Sequence, residues 1–278
     1  MMYVVSDIHN NYDSLKALLD KVKFSKKDTL VINGDLIDRE GDAVKIIRFV
    51  LDHKEQIKFI LGNHEQLFID AYETGELLKP LHKKLKRSFF GKRVEVFKHD
   101  NEIVDHWLNS GGMHTLDSMI GHTLETGENI INELYNYLKE QKYYRIIGDN
   151  LFVHASPNIY GPTFARGELI EWMKEQRQEK LIWDREFYER GMLGGGVKDI
   201  PMNIYIGHTS VVKSRNHRRF GVKRASSKSY PSGYKIVNTD FSSTSKDGSM
   251  ALYSVEKNTL YHKMYDDIIT VTDKGIKG

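Results

Sequence analysis

The chain has 278 residues, 40% hydrophobic and 28% charged, a globular balance with enough apolar material for a sizeable core. No apolar run approaches the length of a membrane span, and the absence of cysteine excludes disulfides and thiolate metal ligands. A net charge of +3 is too small to argue for nucleic acid as a partner, and seven Lys/Arg without an acid between Val211 and Tyr234 leave the remainder at −4.

The chain opens directly on a β-branched run, Tyr3–Val5, with no basic leader; together with the missing cysteines this fits a protein of the reducing cytoplasm. Asp13–Val22 places Leu15, Leu18, Leu19 and Val22 on one helical face, with Asp13 as the expected N-cap. Strand Thr29–Ile32, helix Asp42–His53 and strand Lys58–Leu61 follow, and this alternation predicts a parallel sheet with right-handed crossovers. From 66 to 145 helical periodicity dominates, clearest over Glu128–Gln141 and interrupted by the basic stretch Lys83–Lys98 and by Gly111-Gly112. This stretch reads as a mostly helical insertion in a single domain covering 1–278. Runs at Leu151–Val153, Ile204–Ile206 and Lys235–Val237 read as further strands, and Met250–Val255 with Leu260–Met264 as a hairpin about Lys257-Asn258. The basic loop 211–234 has no period over Arg215–Gly233; it reads either as solvated surface or as a rim that attracts an extended anionic substrate.

Five polar motifs each follow one of these strands: Asp7-Ile8-His9, Gly34-Asp35-Leu36-Ile37-Asp38-Arg39, Gly62-Asn63-His64-Glu65, Val153-His154-Ala155 and Gly207-His208-Thr209. Strand C-termini are where open α/β sheets place ligands. A single such histidine or aspartate is more often a hydrogen-bonded core or turn residue; five at one sheet edge make a two-metal site. Two divalent ions about 3.5–4 Å apart lower the pKa of a bridging water and clamp phosphate oxygens. Asp35 is the natural bridging carboxylate. Asp7 and His9, two apart on an extended chain, would share one ion, and Asn63, His154 and His208 would complete the other. Carboxylate, amide and imidazole without sulfur suit Mn, Fe or Zn, with Mn as the expected ion.

In order and spacing these motifs resemble the calcineurin-like metallophosphoesterases, and within them the phosphoprotein phosphatases of the small bacterial and phage lambda type. Trp107-Leu108-Asn109-Ser110-Gly111-Gly112 with Thr115 is similar to the W-x-N-G-G-x-x-T segment of those enzymes, and Trp183-Asp184-Arg185 to their W-x-R segment. The resemblance implies two mixed β-sheets in a sandwich flanked by helices. It implies that Arg39 and Arg185 hold phosphate, and that His64, paired with Asp38, is a general acid rather than a ligand. Chemistry agrees: a serine alkoxide leaves poorly without a proton, and an arginine fork suits phosphate.

The chain departs from the pattern at Asn10, where Gly is usual, at Glu40, which follows Arg39 in place of Gly, and at Asn238–Ser242, a loose match to a late I-D-x-G segment. These bear on substrate, not on ligands. The leading expectation is a protein serine/threonine phosphatase acting on a phosphorylated protein or small phosphoester. The alternative is a dinucleoside-tetraphosphate or RNA-end phosphohydrolase; Glu65, where diadenosine-tetraphosphate hydrolases carry Asp, leans toward the phosphatase. A catalytically dead phosphate-binding scaffold is the remaining reading, against which stands a complete set of ligands and arginines.

Overall fold

The apolar runs become strands β1 (Met2–Val5), β2 (Thr29–Asn33) and β3 (Ile57–Ile60), separated by helices α1 (Tyr12–Lys21) and α2 (Ala43–Asp52). The computed structural model describes the chain except at 80–81, 88–92, 122–123, 160–164, 194–199, 212–221, 226–233, 244–248, 273–274 and 278; at 82–97, 124–126, 191–193, 223–225 and 275–277 side chains are not described. Most of the basic loop therefore lies outside the described residues. The three strands pair in parallel, as their alternation with helices dictates. Helix α1 is capped two residues before the sequence reading: Asn11, not Asp13, is the N-cap, its side chain accepting from Ser14 N. Asp42 caps α2 in the same way by accepting from Lys45 N.

Helix α3 (Asn63–Glu73) opens the segment read as an insertion. It is followed by β4 (His82–Arg87) and β5 (Arg93–Lys98), then by α4 (Glu102–Trp107), α5 (Met113–Ile120) and α6 (Leu124–Leu138). The basic stretch is thus an antiparallel hairpin and not an interruption between helices. Beyond it come β6 (Tyr144–Ile147), β7 (Asn150–Val153), α7 (Arg166–Lys174), α8 (Gln178–Trp183), β8 (Asn203–Ile206), β9 (Val222–Ala225) and β10 (Tyr234–Asn238). The chain continues as the meander β11 (Ala251–Ser254), β12 (Thr259–Met264), β13 (Asp267–Thr272) and β14 (Gly275–Lys277).

One sheet has the order β14-β13-β12-β11-β1-β2-β3 and the other β6-β7-β8-β10-β9; both mix parallel and antiparallel pairs. Side-chain alternation sorts each strand between two cores. Val4, Val31, Phe152, Tyr205 and Val237 meet between the sheets. Their neighbours Tyr3, Val5, Leu30 and Ile32 face the helices from α1 to α6, whereas Leu151, Val153, Ile204 and Ile206 face those around α7 and α8. The result is a helix–sheet–sheet–helix sandwich. Among the described residues no helix is long and apolar enough to cross a membrane.

The C-terminal ends of β1, β2, β3, β7 and β8 come together at one edge. Asn33 ties the two sheets there: its Nδ2 donates to the carbonyls of Val153 at 2.9 Å and Tyr205 at 3.1 Å.

Candidate functional site

The residues after β1 and β2 do not continue as strands. The two loops remain paired through backbone bonds Asp7 N to Gly34 O at 3.0 Å, His9 N to Asp35 O at 3.0 Å and Asn10 N to Leu36 O at 2.9 Å. That folding-back drives the backbone left-handed. Among the described residues twelve non-glycine positions have positive φ, and Asp7, His9, Asn10, Asp35, Asp38, Arg39 and His208 are seven of them. Such strain clusters where surrounding structure holds a side chain in one place. It also revises the sequence argument for Asp7 and His9, whose directions follow from these turns and not from strand alternation.

The buried carboxylate of Asp35 offers one oxygen to each side of the site. Its Oδ2 lies 3.8 Å from His9 Nε2 and 3.9 Å from His64 Nε2, and its Oδ1 lies 3.3 Å from His154 Nε2. On the second side Asn63 Oδ1 is 3.2 Å from His154 Nε2 and 3.0 Å from His208 Nδ1. Two groups of metal-binding chemistry result, His9–Asp35–His64 and Asp35–His154–His208, sharing Asp35. Asp7 stands outside both, its carboxylate accepting the His208 backbone N–H at 3.1 and 3.0 Å.

Three imidazoles are held in a common way. His9 Nδ1 faces Ile37 O at 2.9 Å, His154 Nδ1 faces Asn33 O at 2.9 Å, and His208 Nε2 faces Trp183 O at 3.1 Å. A carbonyl can only accept, so each of these nitrogens carries the proton and the opposite nitrogen turns a lone pair toward Asp35 or Asn63. His9 Nε2 is buried without a hydrogen-bond partner. Lone pairs converging on a carboxylate and an amide oxygen fit divalent cations of the Mn, Fe or Zn type. Burial pushes His9 and His208 down to about 3, keeping them neutral as ligands must be. His154 is also penalised by burial, but without a cation the Asp35 carboxylate beside it raises it to about 10, so its inner nitrogen then carries a proton that a bound ion would have to replace. Asp35 itself, despite burial, is held well below the usual carboxylate range by His154 and His64.

His64 is held differently. Its Nδ1 is 2.8 Å from Asp38 Oδ2, and Arg39 Nη2 is 3.4 Å from its Nε2. Burial opposes its charge, yet Asp35 and Asp38 raise its pKa above the ordinary value. By distance alone His64 could also join His9 and Asp35 around an ion. Both candidate phosphate-holding arginines are exposed at the rim, and Arg185 Nη1 is steadied by His208 O at 3.1 Å and Thr209 Oγ1 at 3.0 Å. Trp183, 43% exposed, stands beside them with its ring 6.0 Å from that of His208. Glu40 is exposed, so the acid next to Arg39 faces solvent.

Sequence reasoning missed the supporting residues. Glu65 is fully buried and accepts from the backbone N–H of Asp35, Leu36 and Gly62 at 2.8, 2.8 and 2.9 Å, so it braces the loop bearing Asp35. Its contacts are to scaffold, which removes its value as a substrate cue. Asp240, from the loosely matching late segment, is buried near Asp7, and after burial it is the main cause of the raised pKa of Asp7. Ser243 donates to Asp7 O at 2.6 Å. Two motif glycines have a spatial reason: a Cβ at Gly62 would come within 2.3 Å of Asp35 Oδ1, and one at Gly207 within 2.3 Å of Asp7 Oδ2.

Among known proteins, the model of the calcineurin-like phosphoesterase family matches residues 2–183, which hold all the ligand motifs but that of His208. The chain is 35% identical over 117 residues to the symmetrical bis(5'-nucleosyl)-tetraphosphatase of Buchnera aphidicola subsp. Schizaphis graminum, over 42% of this chain and 40% of that protein. It is 40% identical over 77 residues to the zinc-dependent endopolyphosphatase of Saccharomyces cerevisiae, over 27% of this chain and 24% of that protein. The matches thus span less than half the length of these curated relatives. A solved structure described as a candidate diadenosine tetraphosphatase superposes over 96% of this chain and 94% of its own, with TM-score 0.53 and 14% identity, a likeness of fold.

Proposed function

The chain belongs to the calcineurin-like phosphoesterase family and is a hydrolase, and from that premise we propose that it cleaves phosphoanhydride bonds in dinucleoside tetraphosphates, using two divalent ions that share Asp35. The observation that carries the metal assignment is the common tautomer of His9, His154 and His208, each anchored to a backbone carbonyl and each turning its other nitrogen inward. His9 with Asp35 would hold one ion, and Asp35, Asn63, His154 and His208 the other, with Asp7 beside them. When bound, such a pair lowers the pKa of water and neutralises phosphate oxygens. Support for the substrate class comes from the relatives, whose names specify a bis-nucleosyl tetraphosphate and a polyphosphate. The work of the chain's own residues is to position: Arg39, which here points Nη2 at His64 Nε2, would turn with Arg185 to grip the phosphate from the rim, and His64 would then give an Nε2 proton to the departing oxygen while Asp38 steadies its cation.

That last feature favours a second reading. A nucleotide leaves as a stable anion, whereas an alkoxide needs a proton, so a buried His64–Asp38 pair at 2.8 Å also equips the site for serine and threonine phosphomonoesters. The test is metal analysis of the purified protein with rates on diadenosine tetraphosphate, polyphosphate, a phosphoserine peptide and para-nitrophenyl phosphate. Two ions per chain and the highest kcat/KM on the tetraphosphate are expected. Preference for the phosphopeptide would establish the second reading, and failure to hydrolyse any of the four would overturn both.

A further inference from the structure

Asp38 is fully buried, and its side chain and backbone are gripped by residues from three distant parts of the chain. Trp107, also fully buried, donates its indole N–H to both carboxylate oxygens at 3.1 Å each, bisecting the group. The backbone N–H of Asp38 donates to Thr115 Oγ1 at 2.8 Å. That same hydroxyl oxygen accepts from Asn10 Nδ2 at 3.1 Å, and Asn10 Nδ2 reaches Arg39 O at 3.3 Å. The Trp107 ring packs edge-on against Phe68, with centroids 5.4 Å apart, and Phe68 stands one helical turn beyond His64 on α3. Trp107 therefore touches both the carboxylate that holds His64 and the helix that carries it.

We propose that Trp107, Thr115 and Asn10 are positioning residues that lock Asp38 in one rotamer and so aim His64 at the leaving oxygen. The proposal rests on His64 being the proton donor. A carboxylate held by His64 alone could turn about its own axis and release it. An N–H shared equally by both oxygens fixes the carboxylate plane and leaves Oδ2 directed at His64 Nδ1. Asn10 is the residue whose presence most needs a reason. Its φ of 62° is glycine territory, and its Oδ1 is buried without a partner. What the side chain supplies is Nδ2, which joins the loop after β1 to Thr115 on α5 and to the backbone beside Asp38. A strained position that keeps a side chain for its hydrogen bonds is the mark of a positioning role. The helical segment between the ligand motifs is then the support of the proton donor.

The test compares kcat and KM on a phosphoserine peptide and on para-nitrophenyl phosphate, whose leaving group departs without a proton. Trp107→Phe keeps an aromatic ring but removes the pyrrole part with its N–H; Thr115→Val keeps the shape and removes the hydroxyl. Trp107→Phe should lower the peptide-to-aryl ratio of kcat by roughly tenfold, the scale of a lost hydrogen bond to a charged group, and Thr115→Val by roughly fivefold, the scale of a neutral one; Thr115→Ser should keep the ratio of the wild type. Asn10→Gly should lower the ratio by roughly threefold while Tm stays level or rises, because glycine accepts the positive φ. Independently of activity, the ¹H–¹⁵N signal of the Trp107 indole, assigned by its loss in Trp107→Phe, should shift in Asp38→Asn. An indole signal unmoved by Asp38→Asn overturns the Trp107–Asp38 bond. A His64→Asn variant that splits the two substrates, with no split in folded Trp107→Phe, overturns the positioning role alone. Equal losses on both substrates in His64→Asn overturn the proton-donor assignment beneath it.

Discussion

The two halves of the site are held by different means. On the half proposed to bind metal, His9, His154 and His208 each hang from a backbone carbonyl at 2.9–3.1 Å. On the half proposed to donate the proton, His64 hangs from the Asp38 side chain, and Asp38 is held in turn by Trp107 at its carboxylate and Thr115 at its backbone. Backbone anchors need no particular side chain: the carbonyls come from Asn33 at the end of β2, Ile37 in the loop beyond it and Trp183 at the end of α8. Side-chain anchors depend on residues far along the chain meeting correctly. The first half should therefore be robust in geometry and severe in failure, and the second tunable.

Asp35→Asn gives the largest effect expected on this view. The amide keeps the shape and removes the charge that both groups share, so metal content and kcat should fall together, kcat by roughly a thousandfold or more, the loss expected when a shared electrostatic anchor goes. Metal analysis beside steady-state kinetics checks it. Two retained ions with near-normal turnover would break the assignment of Asp35 as the common ligand. His64→Asn comes next. It should cost roughly a hundredfold in kcat on phosphoserine substrates, much less on para-nitrophenyl phosphate, and leave metal content intact. Lost metal in that variant would move His64 into the His9–Asp35 group and erase the contrast between the halves.

The same contrast explains what could be read from the sequence. The half proposed to bind metal was legible because each candidate ligand sits within a few residues of a strand end, and a short β-branched run announces the strand. The β1–α1–β2–α2–β3 order was legible for the same reason. The turn geometry was not: positive φ at Asp7, His9 and Asp35 arises from the pairing of two loops, which no local pattern records. The supports of Asp38 were also hidden, since Trp107 and Thr115 lie 69 and 77 residues from it. The resemblance to a W-x-N-G-G-x-x-T segment pointed to these residues without giving them a role. The hairpin β4–β5 was missed because its lysines masked a strand alternation, and β13 because Asp267–Thr272 is too polar at its start.

Glu65 sharpens the contrast by joining the halves, since its carboxylate braces the backbone of Asp35, Leu36 and Gly62. Glu65→Gln keeps the volume but turns an amide N–H₂ toward backbone donors. A buried, charge-assisted network broken in this way costs about 2–3 kcal/mol, which for a chain of this size lowers Tm by roughly 5 °C. Thermal unfolding measures it. A Tm unchanged by the substitution would mean that the loop is held by its backbone pairing alone.

The last effect, absent at neutral pH, concerns a histidine that neither a carbonyl nor a carboxylate holds among the described residues. His262 on β12 is buried against Phe241, with ring centroids 4.5 Å apart; Ser249 Oγ meets its Nε2, and its Nδ1 is buried without a partner. Among the described residues no carboxylate perturbs it, and burial pushes it down to about 4. The sign of the linkage follows. Between pH 6.5 and 4 the unfolded chain binds the proton that folded His262 refuses, so its share of stability is intact above pH 6.5 and is lost as pH falls toward 4. The full span corresponds to up to about 3 kcal/mol. His64, whose pKa Asp35 and Asp38 raise, has the opposite sign: its share is complete at low pH and is lost as pH rises through its folded value. Denaturant unfolding of the wild type and of His262→Leu across pH 4–7 separates the two. The variant should unfold with a flatter acid limb, gaining most on the wild type near pH 4. Parallel acid limbs in the two proteins would mean that His262 takes up its proton without unfolding, and that burial at β12 is looser than at the site edge.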